Sequence, residues 1–176
     1  QGRYLVPDLP EASYRIWVRG YGLVDSEAVS GERGTLLDLS ASVAPDAAAA
    51  AQVYPAAYWY SMMGLPTEEE VAELDGGLNE YLTWVKNMGC VGCHQLGNER
   101  TRTLPASLAD AGSSEEAWWR RISSGQAGQS MFGTANRLGG LPMKYMAEWT
   151  DRVAAGELPA PTPERPSGVE RNVVAT

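Results

Sequence analysis

The sequence predicts a mainly helical domain of three to five helices behind a small β segment, an α+β chain overall. Three observations predict it. Residues 14–19 alternate apolar and charged side chains, as a strand does. Residues 78–88 carry apolar side chains at helical spacing, and residues 113–125 and 142–156 each begin and end with helix-capping residues. With 176 residues and 44% hydrophobic composition, the chain is long enough to bury a core.

The β segment is expected to occupy residues 1–45. Tyr14, Ile16 and Val18 share one face, and two arginines lie on the other. A second alternation, over residues 36–43, places Leu37, Leu39, Ala41 and Val43 on one face. The glycines assigned to the intervening loop are Gly20, Gly22, Gly31 and Gly34. We expect two or three short strands, which is too few to form a stable sheet alone.

Residues 46–75 are expected to form an acidic helical connector. Asp46, after a proline, precedes five alanines, which suits a helix start. A second helical piece is predicted over residues 56–63. Thr67 with Glu70 three positions later fits a capping box for a short helix to about Leu74.

Residues 76–157 are expected to form the main domain. Its first helix has an apolar stripe at Leu78, Tyr81, Leu82, Val85 and Met88, which leads directly into Gly89. Ser113 with Glu116 caps a second helix that stops at Gly125. Pro142 opens the last helix and Gly156 closes it. Residues 158–176 are expected to be a proline-rich linker or tail.

The net charge of −8 is concentrated in the first part of the chain. Residues 1–75 hold 4 basic and 12 acidic side chains, whereas residues 76–157 hold 8 of each. An acidic chain disfavours nucleic acid and anionic lipid as partners. No run of about 18 apolar residues is present, so no transmembrane segment is expected in this chain.

The strongest motif is Cys90-Val91-Gly92-Cys93-His94, which uses both cysteines and the single histidine of the chain. Cys-x-x-Cys-His is the signature of c-type haem attachment, with two thioethers and an adjacent histidine that ligates iron. A thioredoxin-like pair needs a βαβ setting, and a structural zinc site needs four ligands. The sequence therefore predicts one covalent haem c, with Cys90, Cys93 and His94 binding it.

The sixth iron ligand is left open between methionine, lysine, no ligand at all, or a ligand from another chain. A second histidine does not exist. Met131 is the favoured candidate, because it follows Gly125 and Gly128 in what is predicted to be a loop able to approach a haem face. Met88 suits core packing better, as part of the apolar stripe.

Residues 76–157 resemble a class I c-type cytochrome domain. A helix, the Cys-x-x-Cys-His motif, a proline, a methionine and a final helix follow in that family's order. The resemblance implies that Met131 ligates the iron and that the Pro105 carbonyl accepts a hydrogen bond from the His94 ring. It also implies a crossing between the first and last helices, with Tyr81, Leu82 and Val85 meeting Met146, Trp149 and Val153. The family's methionine is commonly followed by proline, whereas Phe132 follows here.

The N-terminal segment loosely resembles the closing half of a carboxypeptidase regulatory-like β-sandwich, through residues 1–4, 8–10 and 13–18. Residues 168–174 look like the start of another domain after a linker. We therefore expect the chain to be a piece of a longer, exported protein. Haem attachment to this motif implies a periplasmic or other extracytoplasmic location.

Single-electron transfer is the function that these features favour. The expected partner is a redox protein, namely a dehydrogenase, an oxidase or a membrane complex, either separate or fused in the same natural chain. The first alternative is a haem enzyme or a gas or redox sensor with an open iron position. The absence of a distal histidine counts against peroxide chemistry. The second alternative is a structural haem subunit of a larger complex.

Overall fold

The structure is a computed structural model, and it describes residues 4–160 of the chain. These residues divide into two compact units. The first ends at Tyr54, and the second is Pro55–Ala160. The boundary between them falls inside the segment 46–75 that the sequence assigns to a connector. Most of the proline-rich tail and residues 168–174 lie outside the described part of the chain.

The first unit contains one antiparallel hairpin and one short helix. Strands β1 (Ser13–Ile16) and β2 (Val29–Glu32) pair with Tyr14 opposite Gly31. The connection between the strands is held by a two-pronged ion pair, with Arg19 Nε 2.8 Å and Nη2 2.5 Å from the Asp25 carboxylate oxygens. Helix α1 (Ala47–Ala51) begins as predicted, because the Asp46 side chain accepts a hydrogen bond from the Ala49 amide at 2.8 Å.

The predicted second strand is wrong in position. Residues 36–43 form no strand; they contribute a single antiparallel bridge between Leu23 and Val43, and the neighbouring Leu36 is 97% exposed. The strand that pairs with β1 is instead Val29–Glu32, with Gly31 inside it. A Cβ atom at Gly31 would lie 3.0 Å from a Leu37 methyl and 3.1 Å from an Ile16 methyl. Glycine here makes room for apolar side chains, so it belongs to the strand and not to the loop.

The second unit is helical. Its elements, in chain order, are α2 (Ala56–Tyr60), α3 (Gly77–Leu82), a π-helical turn (Thr83–Asn87), α4 (Cys90–Cys93), α5 (Glu99–Arg102), a 3₁₀ turn (Ala106–Leu108), α6 (Ser114–Ile122), α7 (Gly128–Arg137) and α8 (Leu141–Ala154). The mixed α+β composition predicted from the sequence is therefore confirmed at that level. Over residues 4–160, no helix is both long and apolar enough to cross a membrane.

Helix α8 is the centre of the second unit. Trp149 and Met143 on this helix are 0% and 2% exposed. Its most extensive partner is α6, where the Trp118 indole donates to the Thr150 hydroxyl at 3.2 Å. The family resemblance implies instead a crossing with the first helix of the domain. Between the first helix of the domain and α8, the structure has an edge-on pair of the Tyr81 and Tyr145 rings, with centroids 6.2 Å apart.

The segment before α3 contains the predicted capping box but no helix. The Thr67 amide donates to Glu70 Oε2 at 2.8 Å, and the Glu70 amide donates to the Thr67 hydroxyl at 3.3 Å. Residues 68–76 then form consecutive turns. The Glu70 carboxylate also accepts hydrogen bonds from two residues that are distant in the sequence, Lys144 Nζ and the Tyr145 hydroxyl, both at 2.6 Å. Glu70 thus fastens this segment to α8.

Acidification is expected to loosen this contact. Hydrogen bonds from Lys144, from Tyr145 and from the Thr67 amide lower the pKa of Glu70 from 4.5 to about 2. A carboxyl whose pKa is lowered by folding stabilises the fold above its unfolded pKa and loses that effect as pH falls towards the folded value. We expect the free energy of unfolding to fall between pH 4.5 and 2, and Glu70→Gln to flatten this dependence in urea titrations. The exposed neighbour Glu69→Gln is the control, and an equal effect there would contradict the assignment.

The first helix of the domain changes geometry before the Cys-x-x-Cys-His motif. After α3, the Met88 amide donates to the Thr83 carbonyl at 2.8 Å, which is the five-residue spacing of a π-helix. Tyr81 and Val85 are fully buried, as the apolar stripe predicts. Met88 is 63% exposed, so its expected place in the core is wrong. Because the π turn rotates the end of the helix, Met88 no longer lies on the same face as Tyr81 and Val85.

Candidate functional site

The candidate site is centred on the Cys-x-x-Cys-His motif. Cys90 and Cys93 are the first and last residues of the single-turn helix α4, and both thiols are free. His94 follows at the C-terminal end with extended backbone, φ −125° and ψ 134°, and its amide donates to the Cys90 carbonyl at 3.1 Å. Cys90 is half-buried, whereas Cys93 and His94 are exposed. One turn thus presents both thiols and the imidazole.

Two glycines fix the backbone on either side of the motif. At Gly89 a Cβ atom would lie 2.2 Å from the Trp84 carbonyl oxygen of the π turn. At Gly97 it would lie 1.9 Å from the Ala56 carbonyl oxygen of α2. Gly97 also has φ +93°, a conformation that L side chains rarely adopt. The motif is therefore held between the π turn and α2 by contacts that only glycine permits.

An open cavity of about 460 Å³ lies beside the motif, within the size range of small-molecule and cofactor sites. Its walls are Ala57 and Tyr60 of α2 and the continuous stretch 91–96. Cys93 and His94 therefore both border it. Side chains of His, Cys, Asp and Glu form no group of three able to hold a metal ion by themselves within residues 4–160. One thiol, that of Cys93, and the His94 imidazole therefore border the cavity, and Cys90 lies at the other end of α4.

Tyr60 connects this cavity to the helix that precedes the motif. Its hydroxyl donates to the Val85 carbonyl in the π turn at 3.0 Å, and the Lys86 ammonium lies 5.0 Å from the centre of its ring. Burial raises the pKa of Tyr60 well above its usual value, with a further contribution from Cys90. The pKa of Cys90 is itself raised, chiefly by burial. Both groups are therefore protonated at neutral pH.

Three hydrogen-bond donors in the interior of the second unit lack partners. Among the described residues, the buried side-chain atoms without a hydrogen bond are Trp59 Nε1, the Tyr81 hydroxyl and Trp149 Nε1. The pKa of Tyr81 is raised mainly by burial and also by Tyr60 and Cys90. An unsatisfied buried donor costs about 1–3 kcal/mol.

Met131 and Pro105 do not line this cavity. The predicted loop around Met131 is wrong: Met131 is partly exposed within α7, and its amide donates to the Ala127 carbonyl at 3.0 Å in a regular helical bond. Helix α7 packs against α6 and α8. Pro105 is exposed, and its carbonyl accepts a hydrogen bond from the Leu108 amide at 2.9 Å. Their roles as iron ligand and as acceptor for His94 stay predictions.

Sequence reasoning missed the residues that hold the motif from outside. Tyr60 is 30 or more positions away from the cysteines in the chain, and its role depends on the folding of α2 against the motif. Gly89 carried a visible signal, since it interrupts the helical stripe one residue before Cys90. Arg102 of α5, whose Nη1 donates to the Gly97 carbonyl at 3.0 Å, carried none, because an arginine usually points to solvent.

Comparisons of the chain with protein families, with curated proteins and with solved structures find no match. Function is therefore inferred from the motif and from the geometry around it.

Proposed function

We propose that this chain attaches one haem c through thioethers at Cys90 and Cys93, with His94 as an axial iron ligand, and that it transfers single electrons. The observation that carries the proposal is the placement of both free thiols on one helical turn, followed at once by the single histidine and bordered by a cavity. The bound group would supply an iron that cycles between ferrous and ferric states.

The chemistry around the motif fits such a group. The walls of the cavity bring an aromatic ring, Tyr60, and the aliphatic Ala57 next to the motif. A flat, largely apolar group fits beside these side chains.

The residues of the chain contribute anchoring, iron ligation and rigidity. Cys90 and Cys93 would hold the group covalently, so that it stays bound in both oxidation states. His94 would offer an imidazole nitrogen as ligand. Tyr60, protonated and tied to the Val85 carbonyl, keeps the wall of the cavity rigid. A rigid site changes little between oxidation states, which suits electron transfer.

An open-coordination haem protein is the second candidate, and one observation favours it. Met131 lies on α7, which packs mainly against α6 and α8, and it does not border the cavity beside His94. A gas sensor or a haem enzyme needs one free iron position, whereas His/Met ligation needs the Met131 sulfur at the iron. The two candidates therefore differ in the sixth ligand.

Visible spectroscopy of the haem-loaded protein tests this difference. With His/Met ligation we expect a low-spin reduced spectrum, a weak far-red sulfur–iron band when oxidised, and no rapid binding of carbon monoxide. Met131→Ala should remove the far-red band and admit carbon monoxide. Met88→Ala, which removes an exposed methionine near the motif, is the matched control and should change neither.

Each result has a defined meaning. A far-red band that survives Met131→Ala would show that another side chain is the ligand. Rapid carbon monoxide binding by the unmodified protein would favour the open-coordination candidate. A protein that acquires no covalent haem when produced with a c-type haem attachment system would contradict the proposal as a whole.

A further inference from the structure

The backbone that follows His94 is held unusually tightly. Leu96 and Gly97 are buried, and Gly97 lies in contact with the backbone of α2 at Ala56 and Tyr60. On its other side the Gly97 amide donates to the Thr101 hydroxyl at 2.9 Å, and Asn98 caps α5 by accepting from the Thr101 amide at 3.1 Å. The two residues between His94 and Gly97 therefore have little freedom to move.

Arg102 completes this contact from α5. Its Nη1 donates to the Gly97 carbonyl at 3.0 Å, while its guanidinium carbon lies 4.1 Å from the ring centre of Trp59. Trp59 is 4% exposed and belongs to α2, the same helix that Gly97 touches. One side chain therefore joins α2 to the chain that leaves the motif.

This arrangement requires arginine specifically. A planar guanidinium can stack on an indole with its face and donate hydrogen bonds from its edge, whereas a lysine ammonium is a point charge without a face. The Arg102 side chain is half-buried, and burial is the main cause that lowers its pKa. The charge persists, since an arginine is not deprotonated in proteins, and a partly dehydrated charge acts over a longer distance than an exposed one.

We propose that Arg102 is a positioning residue for the axial ligand: by holding Gly97 against α2, it fixes the backbone of His94 and raises the reduction potential of the bound haem. This inference rests on the proposed function. Loss of Arg102 would loosen the stretch 94–97, of which residues 94–96 line the cavity, and admit more water. Water and the loss of a nearby positive charge both favour the ferric state, so both lower the potential.

Redox titration of the haem-loaded full chain tests the proposal, with Arg100→Ala as the matched control. Arg100 lies on the same helix, carries the same charge and is exposed. For Arg102→Ala we expect the ferrous-to-ferric ratio at a fixed applied potential to fall about tenfold, which is about 59 mV for one electron. Arg100→Ala should change the ratio by less than about threefold, through charge alone. Equal shifts in the two variants would overturn the proposal.

Arg102→Lys separates geometry from charge. It retains the charge but not the stacked guanidinium, so we expect it to recover only part of the potential lost in Arg102→Ala. Full recovery would mean that charge alone acts, and the positioning role would be wrong. If Arg102→Ala does not fold, Arg102→Lys decides by itself: a shift larger than that of Arg100→Ala supports the proposal, and an unchanged potential overturns it.

Hydrogen exchange gives a readout independent of the potential. In the haem-loaded chain, Arg102→Ala should accelerate amide exchange in residues 94–98 and leave α8 unchanged, whereas Arg100→Ala should do neither. Unaltered exchange at 94–98 would overturn the positioning role even if the potential moved. Failure of the proposed function is recognised separately, since the unmodified chain would then carry no covalent haem to titrate.

Discussion

The double variant Cys90→Ser, Cys93→Ser is expected to abolish covalent haem attachment. Serine has nearly the shape of cysteine but forms no thioether, so the fold is retained while the anchoring chemistry is lost. Mass spectrometry under denaturing conditions should show one haem on the unmodified chain and none on the variant. Both proteins need to be produced with the same haem attachment system.

The single variants sharpen this prediction. Cys90→Ser and Cys93→Ser each retain one thiol, on opposite ends of α4, and are expected to yield reduced amounts of singly anchored protein. Circular dichroism of the double variant should still show the helical content of the unmodified protein without haem. Retention of covalent haem in the double variant would contradict the assignment of the motif.

Gly97→Ala is expected to produce the largest loss of stability. A side chain at φ +93° costs about 1–3 kcal/mol, and inserting a methyl group into a filled space typically costs a further 1–3 kcal/mol. Here the added Cβ meets the Ala56 carbonyl oxygen and the Tyr60 amide nitrogen, which are backbone atoms and cannot rotate away. We expect the free energy of unfolding in urea to fall by about 2–6 kcal/mol.

Gly92→Ala is the matched control for this loss. Gly92 lies inside the motif, within α4, and a Cβ atom there meets nothing within 4 Å. Alanine is favoured over glycine in a helix by about 0.5–1 kcal/mol, so this change should be neutral or slightly stabilising. Similar losses in the two variants would mean that Gly97 does not pack against α2 as described.

The sequence was most informative where the chemistry is local. The capping residues Asp46 and Ser113 act as predicted, because a short polar side chain reaches the amide three residues on without help from the rest of the fold. The stripe through Tyr81 and Val85 is buried because helical periodicity itself selects one face. The contiguity of Cys90–His94 likewise needs no tertiary information.

The errors share a physical cause, which is competition between segments for the same neighbours. Residues 36–43 alternate apolar and polar side chains as a strand does. Within the described part of the chain they form a bridge only at Leu23, because β1 pairs with Val29–Glu32 instead. Alternation cannot indicate which of two candidate segments will pair. The choice depends on tertiary packing around Gly31.

The error at Met131 comes from the two glycines before it. Gly125, at φ +79°, lies three residues after the last residue of α6, and its carbonyl accepts a hydrogen bond from the Gly128 amide at 3.1 Å. Gly128 then starts α7 in a space where a Cβ atom would lie 2.6 Å from the Ser123 carbonyl oxygen. The glycines make one tight corner between helices, not an extended loop. Spacing alone does not distinguish these two outcomes.

The π turn before the motif determines which way the motif faces. A π turn accommodates one residue more than a regular α-helical turn over the same rise. Each helical residue advances by about 100° around the helix axis. Removing one residue from Thr83–Asn87 would therefore restore regular winding and rotate Cys90 around that axis by about the same angle. The two thiols would then leave the side that α2 covers, although every residue of Cys-x-x-Cys-His remained in place. A single-residue deletion upstream would thus misdirect an intact motif.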